Sequence, residues 1–131
     1  MNKKNNILLS IITPTLNNEK DIENFLKSLR KQKFSKEKLE IIISDGGSTD
    51  KTLEIARKYK VRIINNPDIF PDPGVNRGIK VAEGELIMVL ASDNIFKSND
   101  ALGKMTKVFE DKDFTNLKAE AACSGGACEI T

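Results

Sequence analysis

Two aspartates stand where a carboxylate meets whatever lies beyond a strand. Asp45 follows the β-branched run Ile41-Ile42-Ile43-Ser44, and Asp93 follows the apolar run Leu86-Ile87-Met88-Val89-Leu90-Ala91-Ser92. An ionised carboxylate is acceptor-only, so a fixed pair suits a ligand that presents donors or a cation. The chain contains no His, which removes the commonest catalytic base and transition-metal ligand. Acid–base or metal chemistry therefore falls to carboxylates, amides and hydroxyls. Asp-Gly and Asp-Asn are also ordinary turn sequences, so either aspartate alone has a structural reading beside the functional one.

The elements that position these groups alternate. An apolar run over 7–12 predicts a first strand, which exits into Thr13-Pro14-Thr15-Leu16-Asn17-Asn18. Asn18 is placed to cap a helix on which Ile22, Phe25, Leu26 and Leu29 recur on one face. A second strand over 39–44 exits at Asp45; Gly46 and Gly47 permit a tight turn, and Ser48 or Asp50 caps a helix running to about Tyr59. A third strand, 61–64, ends at Asn65-Asn66-Pro67. Asp72-Pro73 reads as a cap with proline at the first helical position, Val75, Gly78, Ile79 and Ala82 continue that helix, and Gly84 stops it. The fourth run, 86–91, is wholly apolar and is expected to be buried on both faces. A last helix carries Ala101, Leu102, Met105, Val108 and Phe109, and the pattern fades beyond Glu110.

Four strand–helix repeats predict an α/β, Rossmann-like parallel sheet with helices on both faces. Such a sheet gathers polar strand ends at one edge: Thr13 and Asn17, Asp45, Asn65 and Asn66, Ser92 and Asp93. That concentration favours a phosphate- or nucleotide-type ligand.

A chain of 131 residues is one domain by size. The net charge of +2 gives no electrostatic case for nucleic acid. The run over 7–12 is too short for a membrane span, and the expected location is the cytosol, with peripheral attachment to a membrane left open. Cys123 and Cys128 lie in a small-residue stretch without metal-site spacing.

Two nucleotide-binding signatures are absent. No Gly-x-Gly-x-x-Gly follows the first strand, and in Gly47-Ser48-Thr49-Asp50-Lys51-Thr52 a carboxylate stands where a P-loop needs glycine.

Four motifs in order carry a resemblance: Thr13-Pro14-Thr15-Leu16-Asn17, Asp45-Gly46-Gly47-Ser48-Thr49-Asp50, Asn76-Arg77-Gly78-Ile79 with Ala82-x-Gly84-Glu85, and Leu90-Ala91-Ser92-Asp93. Together they resemble the family 2 glycosyltransferases. The resemblance implies a GT-A fold and a nucleotide-diphospho-sugar donor, a UDP-sugar foremost. It implies a donor site drawn from Thr13, Pro14, Thr15, Asn17, Asp45, Asn76, Arg77, Ser92 and Asp93. Asp45 would accept from the base, and Asp93, matching the last aspartate of the family's Asp-x-Asp motif, would hold Mg²⁺ or Mn²⁺ against the diphosphate.

The sequence departs from the pattern at three places. Ala91 stands where the first aspartate of Asp-x-Asp usually sits, Leu16 where an aromatic often sits, and Val75 where an arginine often sits. The chain resembles an inverting hexosyl transferase, yet nothing after Phe109 resembles the motif of the catalytic base, so the catalytic residue is unassigned. Residues 1–111 are expected to form the donor half, a truncated GT-A domain, and 112–131 a polar, small-residue tail without fixed order. The alternative is a non-catalytic nucleotide-binding or interaction module, with an exposed sheet edge favouring a homo-oligomer.

Overall fold

The computed structural model describes residues 6–110. Four strands and four helices alternate: β1 (Leu9–Thr15), α1 (Ile22–Arg30), β2 (Leu39–Asp45), α2 (Thr52–Ala56), β3 (Arg62–Asn65), α3 (Pro71–Val81), β4 (Leu86–Val89) and α4 (Ala101–Glu110). A short 3-10 turn, Lys36–Lys38, precedes β2. The tail after Glu110, with both cysteines, lies outside the described residues, as does the expectation of disorder there.

The strands form one parallel sheet in the order β3-β2-β1-β4. β1 and β2 are central, and their apolar runs are accordingly buried almost without interruption. Thr15 pairs in register with Asp45, and Ile12 with Val89, so the exits of β1, β2 and β4 open on the same edge. The chain order reverses between β1 and β4, the position at which open α/β sheets receive ligands.

One face of the sheet carries most of the core. Leu9, Ile11, Ile41 and Ile43 pack there against Ile22, Phe25, Leu26 and Leu29 of α1, Ala56 of α2 and Leu102 of α4. The periodic face of α1 that the sequence shows is therefore the buried one. Among the described residues, α3 alone covers the opposite face. It comes so close that a Cβ added at Gly78 would sit 2.5 Å from Ile12 Cγ2, which is why a helix interior tolerates glycine here.

That asymmetry corrects the expectation for β4. Leu86 and Met88 lean on the core, but Ile87 and Val89 are 43% and 49% exposed. Their register partners, Ser10 and Ile12, lie on the α3 side of the sheet, and one helix does not reach across to the edge strand. An apolar run marks a buried strand only where both faces have a cover.

Helix starts also differ from expectation. α1 begins after Asp21, with the Asn18 carbonyl rather than its side chain accepting from Asp21 N and Ile22 N. Phe70, not Asp72, precedes α3, so both Pro71 and Pro73 sit in its first turn. Asp50 does act at the start of α2, accepting from Thr52 N and Thr52 Oγ1, while Ser48 is turned elsewhere.

Candidate functional site

The loop after β2 is built on Asp45. Its Oδ1 accepts from Thr15 Oγ1 at 2.7 Å and from Ser48 Oγ at 2.6 Å. Its Oδ2 accepts from Gly47 N at 3.0 Å and Ser48 N at 2.7 Å. A carboxylate offers about four acceptor positions, and all are taken from within the chain. Burial alone pushes this carboxyl up, since Asp45 is only 3% exposed, but the Ser48, Thr15 and Gly47 donors together outweigh it and hold it below the usual carboxylate value.

Asn17 clamps the same loop from the other side. It adopts φ 55°, a left-handed conformation that Asn tolerates well. Its Oδ1 accepts from Thr49 N at 2.8 Å and Asp50 N at 3.2 Å, and its own N–H donates to Ser48 Oγ at 2.8 Å. Asn18 N donates to Thr52 Oγ1, and Lys51 N to Glu19 Oε1. The β1 and β2 exit loops are thus one hydrogen-bonded unit.

Beside this unit opens a cavity of about 440 Å³. Pro14, Thr15 and Leu16 from the β1 exit line it, with Ile69 and Phe70 from the loop before α3, and Ala91, Ser92 and Asp93 after β4. The volume is in the range of small-ligand sites. Asp93 is exposed, and among the described residues its carboxylate makes no hydrogen bond or ion pair, which leaves it available to a ligand.

The sequence-derived site residues are therefore distributed in three ways. Pro14, Thr15, Ser92 and Asp93 meet in this cavity. Asp45 and Asn17 stand behind it, committed to the loops. Thr13 is fully buried in β1, and its Oγ1 has no hydrogen-bond partner. Asn76 and Arg77 line a different cavity, about 460 Å³, beside β3 with Asn65, Asp68 and Lys80. There Arg77 Nη2 pairs with Asp68 at 2.7 Å, with both side chains about half exposed. The sequence reading missed Asp21, Ile69 and Phe70 as lining residues. In the sequence Asp21 is only a charge just before a helical pattern, and Ile69 and Phe70 are only two apolar residues beside a proline.

Asp93 suits a divalent cation held chiefly by a diphosphate, since Mg²⁺-type sites take one or two carboxylates plus phosphate oxygens and water. Ala91 adds no donor, and no group of three potential metal ligands occurs among the described residues. Among the described residues, Asp93 and Asp21 are the carboxylates that line the cavity.

Comparisons with known proteins agree with the geometry. The chain is 40% identical over 91 residues to poly(ribitol-phosphate) beta-N-acetylglucosaminyltransferase TarS of Staphylococcus aureus, a match covering 65% of this chain and 16% of that protein. The crystal structure of S. aureus TarS 1-349 in complex with UDP-GlcNAc superposes with a TM-score of 0.71 at 32% identity, over 80% of this chain and 32% of that one. A mannosyltransferase from Pyrobaculum calidifontis, solved in complex with GDP-Man and Mn²⁺, gives a TM-score of 0.72 at 23% identity, over 77% of this chain and 32% of that one. At that identity it shows the fold alone. The chain thus spans a third or less of these relatives, and its parallel α/β sheet with flanking helices is part of a GT-A fold. Residues 10–122 match the model of Glycosyl transferase family 2, and the chain belongs to that family.

Proposed function

We propose that this chain binds the nucleoside diphosphate of a sugar donor, a UDP-sugar, in the cavity between the exits of β1 and β4, for transfer of the glycosyl group to an acceptor. The observation that carries the reading is the free carboxylate of Asp93 facing the same cavity as Pro14 and Thr15 at the sheet's reversal point. A family relative crystallised with UDP-GlcNAc supports the donor class.

In this reading the diphosphate lies toward Ser92 and Asp93. Asp93 would hold a Mg²⁺ or Mn²⁺ ion there, and that ion would neutralise charge on the departing diphosphate. The nucleoside lies toward Pro14, Thr15 and Leu16. Thr15 presents a hydroxyl to it, and Asp45 holds that hydroxyl in place. Asp45 meets the base itself when the Ser48 hydroxyl turns away to free an acceptor position. Asn17 fixes the loops rather than touching the donor. Arg77 joins the site through the Asp68 loop, whose other end carries Ile69 and Phe70 into the cavity. The metal dependence, the UDP preference and these residue roles belong to the proposal.

Calorimetric titration of the purified chain with UDP, GDP and their sugar conjugates, with and without Mn²⁺, tests it. Binding of UDP strengthened by Mn²⁺ and weakened by Asp93→Asn is the expected result. No binding of any nucleotide overturns it.

A further inference from the structure

Phe70 is the most exposed large apolar side chain among the described residues, at 71%, yet its backbone is held on every side. Its carbonyl accepts from Asn66 Nδ2 at 2.9 Å and from Gly74 N at 3.3 Å, and its N–H donates to Asp68 O at 2.7 Å. Asn66, which supplies the first of these bonds, is 1% exposed. Gly74 leaves room for it, since a Cβ there would meet Asn66 Nδ2 at 2.8 Å. The preceding residue is strained. Ile69 has φ 69°, a conformation that a β-branched residue rarely adopts and keeps only where its surroundings over-determine it. Those surroundings include Gly46, where an added Cβ would lie 2.7 Å from the Ile69 carbonyl oxygen. The β2 exit loop thus presses directly on the segment that presents the ring.

A hydrophobic ring kept in water on a fixed, strained backbone is a costly arrangement with little return from the core, since Phe70 is 71% exposed and outside the core cluster. Phe70 instead lines the cavity, whose lining also includes Pro14 and Leu16, the latter 41% exposed, together with the polar Ser92 and Asp93. A flat apolar ring contributes no hydrogen bonds, so what it recognises is another flat face. We propose that Phe70 is the stacking platform for the nucleobase of the donor, with Leu16 and Pro14 completing an apolar slot. This rests on the nucleotide reading above and adds to it a residue that no motif marks.

Stacking of a base on an aromatic ring is lost roughly 5- to 150-fold on substitution by alanine. Phe70→Ala should therefore weaken UDP binding by about that factor, leave the melting temperature unchanged because the ring is exposed, and leave binding of Mn²⁺-pyrophosphate, which lacks a base, unaltered. Phe70→Trp should restore UDP affinity. The chain has no Trp of its own, so this variant carries a single reporter whose emission should be quenched as UDP binds. Wild-type binding of UDP with an unaltered constant in Phe70→Ala overturns the stacking role alone. So does a loss confined to the sugar conjugate with UDP itself unaffected, which would place the ring under the sugar. Failure of the wild-type chain to bind UDP overturns the nucleotide reading and the stacking role together.

Discussion

Thr15 Oγ1 donates to Asp45 Oδ1 at 2.7 Å, a buried bond joining the last residues of two adjacent strands that are also register partners. The bond ties the cavity wall to the loop behind it. Asp45→Ala removes the acceptor for all four donors and leaves buried N–H and O–H groups unpaired. The expected loss is about 3 kcal/mol of stability, with Thr15→Val costing about 1–2 kcal/mol. Urea denaturation of the two variants measures both. A neutral Asp45→Ala would show that the loop does not depend on it.

Acid should act through the same residue. Asp45 is held below its ordinary value, so the unfolded chain binds the proton more readily and stability falls as pH drops. The contribution is complete above the unfolded carboxylate range, roughly pH 4, and disappears as pH falls toward the lowered native value. Denaturation midpoints at pH 7, 5 and 3 should show the decline, and Asp45→Asn should flatten it.

Asp93 should separate binding from folding. It is exposed and unpartnered among the described residues, so Asp93→Asn should leave stability within about 0.5 kcal/mol. Under the donor reading it should remove the gain in UDP affinity that Mn²⁺ provides, roughly tenfold or about 1.4 kcal/mol. Calorimetry with and without the cation reads the difference.

Close backbone approaches should be intolerant of a methyl group. Gly78→Ala drives a Cβ into Ile12 Cγ2, and overpacking of this kind costs about 1–3 kcal/mol. Gly46→Ala meets the rigid Ile69 carbonyl instead, so it should displace the segment bearing Phe70 and weaken nucleotide binding along with stability. Thermal melts and UDP titration of the pair distinguish a core defect from a site defect.

The two faces of the sheet should answer differently to loss of an isoleucine. Ile87→Thr, at a position 43% exposed, should change stability by less than about 0.5 kcal/mol. Ile11→Ala, at a position wholly buried in the α1 side of the core, should cost about 2–5 kcal/mol. Equal costs would mean that β4 is covered after all.

The parallel sheet was legible because alternating strands and helices leave few right-handed topologies, and the motif resemblance pointed to a GT-A fold among them. The apolar face of α1 was legible because Ile22, Phe25, Leu26 and Leu29 obey one period. The exposure of Ile87 and Val89 was not, since it depends on how far α3 reaches across the sheet rather than on the strand's own residues. Asn17 and Asp45 were visible as polar groups at strand exits, but type and position do not say whether a polar atom is turned toward a ligand or spent on its own loop. Phe70 was hidden for a different reason. Its place in the cavity depends on the left-handed turn at Ile69, and no residue preference announces such a turn at isoleucine.

The register of β1 has a consequence for how the molecule is put together. Leu9 pairs with Leu39 on one side and with Leu86 on the other, so the second pairing spans more than twice the chain length of the first. Each doubling of a closed loop adds about 0.6 kcal/mol of chain entropy. The shorter closure should favour β1 and β2 coming together first, and with them the Asp45 latch. β4, which pairs with β1 alone among the described residues, should dock later and bring Ser92 and Asp93 with it. The strand that completes the cavity is an edge strand paired, among the described residues, to β1 alone, so a ligand gripping both walls would act as a staple across the β1–β4 seam. Amide hydrogens along β4 should then exchange with solvent sooner than those of β1, and slow markedly when nucleotide is bound.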